Sequence, residues 1–249
     1  MNKLALAIVL AALISQAAGC VVEVADRGDD DPGAEVASIS ARWSLRNMID
    51  GAVTACPQGF DTVEVIAQAI DDAGEPVGDV HADLFDCSRR TGTSTALFPD
   101  LYQVWIEVRS HDLSLLYAQS LSQYIDVREF DQKFSTEVLN DGGYFQLAWD
   151  LVGRTSNRPV ACSQVVGLDT ITAVSASIAD AQRVYDDNLV CEDHATVTGG
   201  LLQGTYTISL DVIAADMSIS AAPTLTNKVI SGQNRVTDLG HIAIPIDGL

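Results

Sequence analysis

Five cysteines, four histidines and thirty-four carboxylates are the residues of this 249-residue chain whose types could carry chemistry. The histidines (His81, His111, His194 and His241) are scattered and make no H-E-x-x-H or other metal-ligand spacing. Asp83 and Asp86 lie near His81, and Glu192 and Asp193 precede His194, but a carboxylate beside a histidine is ordinary on so acidic a surface. No G-x-S-x-G, phosphate-binding loop, G-x-G-x-x-G or kinase signature occurs. The carboxylates could furnish the acid and base of a glycan hydrolase, yet no spacing singles out two of them. The cysteines contain no C-x-x-C pair, which argues against a metal site. The expectation is therefore no catalytic, cofactor-binding or metal residue, and no enzyme. A glycan hydrolase with an unrecognised carboxylate pair is the alternative.

The first cysteine belongs to a different chemistry from the other four. Met1-Asn2-Lys3 starts the chain with a positive charge, Leu4 to Ile14 is an unbroken run of eleven apolar residues, and Ser15-Gln16-Ala17-Ala18-Gly19-Cys20 follows. Eleven residues are too few to span a bilayer as a helix, which takes about 20. The order of charge, apolar core and small residues is that of a secretory signal peptide. Its end resembles the lipobox of bacterial lipoproteins, with Ala18, Gly19 and Cys20 in the last three positions and Ala17 where Leu is usual. That resemblance implies cleavage before Cys20 and acyl chains, palmitate among them, on the new amino terminus. Two or more chains hold a protein stably at a membrane. Cysteine parity agrees, since removing Cys20 leaves four, an even number suited to an oxidising compartment. Val21 and Val22 in place of an acidic residue after Cys20 favour the outer membrane by analogy with enteric bacteria.

Residues 20–36 are expected to be an acidic, flexible tether. Glu23 to Glu35 holds six acids and one Arg around Asp29-Asp30-Asp31-Pro32-Gly33, a composition that cannot fold alone. It does not match the calcium-loop pattern of alternating acids, Gly and a terminal Glu. The whole chain carries a formal charge of −20, and its three lysines (Lys3, Lys133 and Lys228) do not cluster. Such a surface repels phosphates, so no nucleic-acid partner is expected.

The remaining chain is written twice. Ile39, Ala41, Trp43 and Leu45 alternate with polar residues as a half-buried strand does, and Phe145, Leu147, Trp149 and Leu151 repeat the pattern 106 residues later. Ala55-Cys56 and Ala161-Cys162 each lie thirteen residues after the tryptophan. Asp61-Thr62 and Asp169-Thr170 open apolar strands, and Val80 to Cys87 aligns with Val184 to Cys191. Tyr102, Val104, Ile106 and Val108 then match Tyr206, Ile208, Leu210 and Val212, and closing strands are expected around Phe130–Val138 and Val236–Ile246. Repeat symmetry selects Cys56–Cys87 and Cys162–Cys191 among the three possible pairings, each worth ~3–4 kcal/mol for a loop of about 30 residues.

Short alternating strands separated by turns over about 100 residues predict an all-β chain of two tandem antiparallel β-sandwich domains. The expected divisions are 1–19 signal peptide, 20–36 tether, 37–140 first domain and 141–249 second domain. A disulfide-bearing sandwich with one strand-borne tryptophan resembles the immunoglobulin-like group, although here Trp43 precedes the first cysteine of its pair. Pro76-Val77, Cys87 and Tyr102-Gln103-Val104 are also similar to transthyretin-like modules. Asn140-Asp141-Gly142-Gly143 is expected to be a turn-rich hinge of about four residues. Asn140 and Asp141 with Asp247 also suggest a calcium site between tandem domains, but no bridging acidic motif lies in both flanking loops.

Trp43 and Trp149 fall on the apolar side of matching strands and are expected to be core anchors beside each disulfide. Trp105 falls on the other side of its strand, with Gln103, Glu107 and Arg109, where the second copy has Thr207, Ser209 and Asp211. A loop such as His111–Ser122 or the second domain could cover it. If uncovered, it is the candidate contact for a protein or glycan partner. The expectation is an envelope lipoprotein anchored to the membrane through Cys20, with a non-catalytic binding or structural role. An accessory subunit or spacer of an envelope complex is a further alternative.

Overall fold

A computed structural model describes residues 36–213 and 219–247; Cys20, the leader and most of the tether lie outside the described residues. The first half contains β1 (Ile39–Arg46), β2 (Val53–Thr54), β3 (Thr62–Ile70), β4 (Pro76–Asp86), β5 (Thr91–Thr93), β6 (Leu101–Arg109), β7 (Leu116–Gln119), β8 (Gln123–Asp126) and β9 (Gln132–Leu139). The second contains β10 (Gly142–Gly153), β11 (Pro159–Val160), β12 (Thr170–Ser177), β13 (Val184–Val190), β14 (Ala195–Val197), β15 (Leu201–Leu202), β16 (Gly204–Ile213), β17 (Ile219–Ala221), β18 (Leu225–Ile230) and β19 (Arg235–Ile246).

The chain is two tandem β-sandwiches. In the first, β1 pairs antiparallel with β2 and β5 on one side and parallel with β9 on the other, while the facing sheet runs β4-β3-β6 with β7 and β8 along the far edge of β6. The second repeats this plan: β10 takes β11 and β14 on one side and the parallel β19 on the other, opposite a β13-β12-β16 sheet edged by β17 and β18. Among the described residues, the parallel pairing of first and last strands in each sandwich is the one departure from a wholly antiparallel arrangement. Alternation drives the layering, because side chains two apart share a face. Ile39, Ala41, Trp43 and Leu45 pack with Val63, Val65, Val104 and Ile106 in one core. Phe145, Leu147, Trp149 and Leu151 pack with Ile171, Ile208 and Leu210 in the other.

One device recurs in both cores. Cys56 is bonded to Cys87 and Cys162 to Cys191. The second cysteine of each pair opens a single 3-10 turn that ends on a left-handed residue, Arg90 or His194. The buried indole N–H of Trp43 donates to the Cys87 carbonyl at 3.0 Å, and that of Trp149 to the Cys191 carbonyl at 3.1 Å. The tryptophan backbone N–H donates to Arg90 in one copy and to His194 in the other. Each tryptophan is thus held at both ends by a turn that the disulfide ties down, so its polar N–H is buried without penalty. The disulfides join loops beyond the strand ends, unlike the inter-sheet bridge of antibody domains. Tyr102 and Tyr206 each donate their hydroxyl to a carbonyl four residues upstream, Phe98 and Leu202, the corner found in immunoglobulin-like sandwiches.

The expected hinge is a braced joint. Only Asn140 and Asp141 separate β9 from β10. The Asp141 carboxylate accepts the backbone N–H groups of Met48 and Ile49, and the Asn140 side chain bonds to Asn47, Thr54 and Tyr117. Buried Asn234 accepts the Leu139 N–H at 2.7 Å and donates to the Gln119 carbonyl at 2.8 Å. A Cβ on Gly200 would stand 2.7 Å from Leu139 and one on Gly142 2.7 Å from Met48, so glycine is what lets the two sandwiches approach. A four-residue linker was the natural reading of Asn-Asp-Gly-Gly. The Asp141 carboxylate satisfies backbone groups across the joint and the Asn140 amide satisfies side chains of the first sandwich, so neither caps a free turn.

Candidate binding face

The sheet β4-β3-β6 turns its even-numbered β3 residues away from the core. Ladder partners share a face, so Ala82, Ile66 and Trp105 form one row across three strands. The next row is Val80, Gln68, Gln103 and Tyr124, and the row on the other side is Leu84, Glu64, Glu107 and Gln119. Val80, Leu84 and Tyr124 are each more than half exposed, whereas Ile66 is buried beneath its neighbours. At ~4.8 Å between strands and ~7 Å between alternate residues, these rows cover about 10 by 14 Å on three strands, with Val80, Ala82, Leu84, Ile66, Trp105 and Tyr124 set among Gln68, Gln103, Glu64 and Glu107.

Trp105 is half-buried at the centre of this face, more open than Trp43 or Trp149. Its indole N–H donates to Glu107 Oε1 at 3.3 Å, Arg109 bonds Glu107 Oε2 in turn, and Arg109 Nε lies 3.0 Å from Glu64 Oε2. Arg109 is fixed from a third direction by the Leu113 carbonyl at 3.0 Å. The chain of bonds therefore holds the ring at a set angle. Both carboxylates are engaged by one guanidinium, which suits them to positioning an aromatic ring more than to proton transfer. Glu107 was expected beside Trp105 on the solvent side. It does share that face, yet it is buried because Trp105 and Arg109 close over it.

Sequence reasoning missed Val80, Leu84 and Tyr124. A signal was present in β4: Val80, Ala82 and Leu84 lie outward while His81, Asp83 and Phe85 take the core-facing phase, the reverse of ordinary amphipathic alternation. His81 packs edge-on to Tyr102 at 6.2 Å, and Asp83 accepts the Thr95 N–H at 2.9 Å. Asp187 does the same for Gly199 in the second copy, so Asp83 has a structural post. His194 lies 3.4 Å from the Trp149 carbonyl, His111 sits near Asp61, and His241 near Asp150. Asp141 is spent on Met48 and Ile49 and Asp247 pairs with Arg154, so the two acids suggested for calcium serve different ends of the second sandwich. Among the described residues no three His, Cys, Asp or Glu side chains converge on a common point.

No protein-family model matches the chain, and no curated protein matches it. Among solved structures it is similar to a leucine-rich repeat protein of Bacteroides thetaiotaomicron, at 9% identity over 85% of this chain with a TM-score of 0.38; the chain spans 26% of that protein's length. It is similar to GBS52, the minor pilin of Streptococcus agalactiae, at 9% identity over 84% of this chain and 97% of that one, with a TM-score of 0.32. It is also similar to the fimbrial anchor protein Mfa2 of Porphyromonas gingivalis, at 11% identity over 73% of this chain and 79% of that one, with a TM-score of 0.27.

Proposed function

We propose that this protein is a lipid-anchored component of the bacterial envelope that binds a partner protein and performs no catalysis. Acyl chains on Cys20 hold it at the outer membrane, residues 20–36 act as its tether, and residues 37–140 and 141–249 are its two domains. The observation that carries the binding reading is the outer face of β4-β3-β6. There Val80, Ala82, Leu84, Ile66, Trp105 and Tyr124 form an apolar patch that the second sandwich does not reproduce. Apolar patches rimmed by polar residues mark association surfaces, and a pre-held tryptophan loses little freedom on binding. The aliphatic share of the patch favours a protein over a glycan, which would rest chiefly on Trp105 and its neighbouring Gln103.

Affinity capture from native envelopes with the chain from residue 21 onward tests this. Trp105→Ala and Leu84→Ser are each expected to cut capture roughly tenfold while the unfolding midpoint stays near that of the parent. Capture that survives both substitutions would remove the face from consideration. Recovery of glycan alone would reassign the partner. Labelled palmitate should appear in the parent and vanish in Cys20→Ala.

A further inference from the structure

The chain comes into the first sandwich between two loops that carry exposed phenylalanines. Ala37 bridges to Leu97, Ser38 N–H bonds to Asp131 at 2.7 Å, and Gln132 N–H bonds to the Ser38 carbonyl at 2.9 Å. Phe98 and Phe130 each stand one residue from these contacts, so the loops 94–100 and 127–131 flank Val36 on one tip. Phe98 is 65% exposed, Phe130 61% and Val36 55%.

The second copy shows what this end of the sandwich does. Its Gly143–Leu201 ladder matches the Ala37–Leu97 bridge, so Leu202 stands where Phe98 stands and Gly142 where Val36 stands. That end is docked on the first sandwich, with Leu202 only 8% exposed and Gly142 and Gly200 against Met48 and Leu139. One end is covered and its equivalent is open. The open end does not suit another rigid sandwich in the same way, because Val36, Ala37 and Ala96 replace Gly142, Gly143 and Gly200. It has side chains where the docked end has room for a backbone.

We infer that this tip seats on the surface of a phospholipid bilayer, with Phe98, Phe130 and Val36 entering the interfacial region. The inference rests on the proposed anchor at Cys20: fifteen residues separate Cys20 from Val36, a span of at most ~55 Å. The anchor therefore keeps this tip, and not the far end of the second sandwich, at high local concentration beside the lipid. Aromatic rings favour the headgroup boundary, and a soft occupant accepts protruding side chains that a second β-sandwich would not. Of the carboxylates nearby, Asp126 pairs with Arg128, Asp131 holds the Ser38 N–H and Asp100 holds the Leu101 N–H. Glu129 and the overall negative charge direct the tip to zwitterionic lipid.

The test uses the chain from residue 21 to its end, carried by an amino-terminal histidine tag on phosphatidylcholine vesicles that contain nickel-chelating lipid. Amide exchange in 94–100 and 127–131 is expected to slow about fivefold or more relative to the same protein in solution. The slowing should disappear in a Phe98→Ser, Phe130→Ser double variant that unfolds at the parent's midpoint. Equal exchange on vesicles and in solution would overturn the inference, as would slowing that the double variant retains. Because the tag replaces the acyl anchor, absence of palmitate on Cys20 in cells would reject the anchor reading without deciding this result.

Discussion

Across the outer face of its second sheet the first sandwich carries Ala82, Ile66 and Trp105, and the second carries Asp186, Val174 and Ser209 at the same ladder positions. Beneath those faces the copies coincide: a disulfide-tied 3-10 turn grips a tryptophan, a tyrosine bonds back four residues, and an aspartate braces the following loop. Residues that hold the frame are duplicated, and residues that meet the surroundings are not. A position that differs between copies and that neither core needs is thus free to serve a partner. The near ends of the two sandwiches follow the same logic, glycine-built where the second meets the first and side-chain-rich where the first meets its surroundings.

The largest effects should fall on the shared frame. Trp43→Ala and Trp149→Ala are each expected to cost about 3–5 kcal/mol, as large buried aromatics do. Urea unfolding should show the loss in both variants at similar size. A cost near zero in either copy would mean that the repeated grip is not a repeated anchor. Replacing both cysteines of one pair by serine should cost ~3–4 kcal/mol, close to equal for the two copies because the sequence separations are 31 and 29.

The frame's tyrosines give a comparison that pH can read. Burial raises the Tyr206 hydroxyl to about 12, with Tyr185 adding to the effect, while Tyr102 is raised chiefly by burial and secondarily by Asp100. A phenol raised in the folded state binds its proton more tightly there, so its contribution is complete below pH ~10 and is lost as pH rises toward 12. The loss is at most about 2–3 kcal/mol. Tyr206→Phe should flatten the decline of the unfolding midpoint between pH 10 and 12. An unchanged slope in that variant would assign the alkaline loss to other groups.

Much of this frame was legible beforehand, and the reason is periodicity. Strand alternation, the 106-residue offset and cysteine parity are one-dimensional signals, and they are what gave the two sandwiches and both disulfide pairs. The parallel partnership of β1 with β9 was not legible, since first and last strands share no local pattern. The face around Trp105 was half legible. Trp105 stood out against Ser209, but Val80 and Leu84 were not separated from the rest of the repeated Val80–Cys87 segment, because which phase of β4 faces inward is decided by packing against the other sheet. The joint misled for a related reason. Asn-Asp-Gly-Gly has the composition of a free turn, and only the partners Met48, Ile49 and Thr54, some 90 residues away, convert it into a brace.

Asp141→Ala therefore probes the joint directly. It leaves the Met48 and Ile49 N–H groups without their acceptor, a loss of about 1–3 kcal/mol. Thermal unfolding should pass from a single transition in the parent to two in the variant. A single unshifted transition would show that the sandwiches are coupled by Asn234 and the glycine contacts alone.

The smallest effect runs in the opposite direction and tests how closely the cores match. Ser175 is fully buried in β12, and its hydroxyl has no hydrogen-bond partner among the described residues. The corresponding residue of β3 is Ala67, also buried. A hydroxyl taken out of water without a partner costs roughly 1–3 kcal/mol, and alanine differs from serine there by that one atom. Ser175→Ala should therefore raise stability by about 1 kcal/mol, after allowance for the small void left behind. Ala67→Ser should lower it by a similar amount. Denaturant midpoints read at constant m-value would register both. If Ser175→Ala destabilises, the hydroxyl has a partner that alanine removes, and the second core is organised differently from the first at this layer.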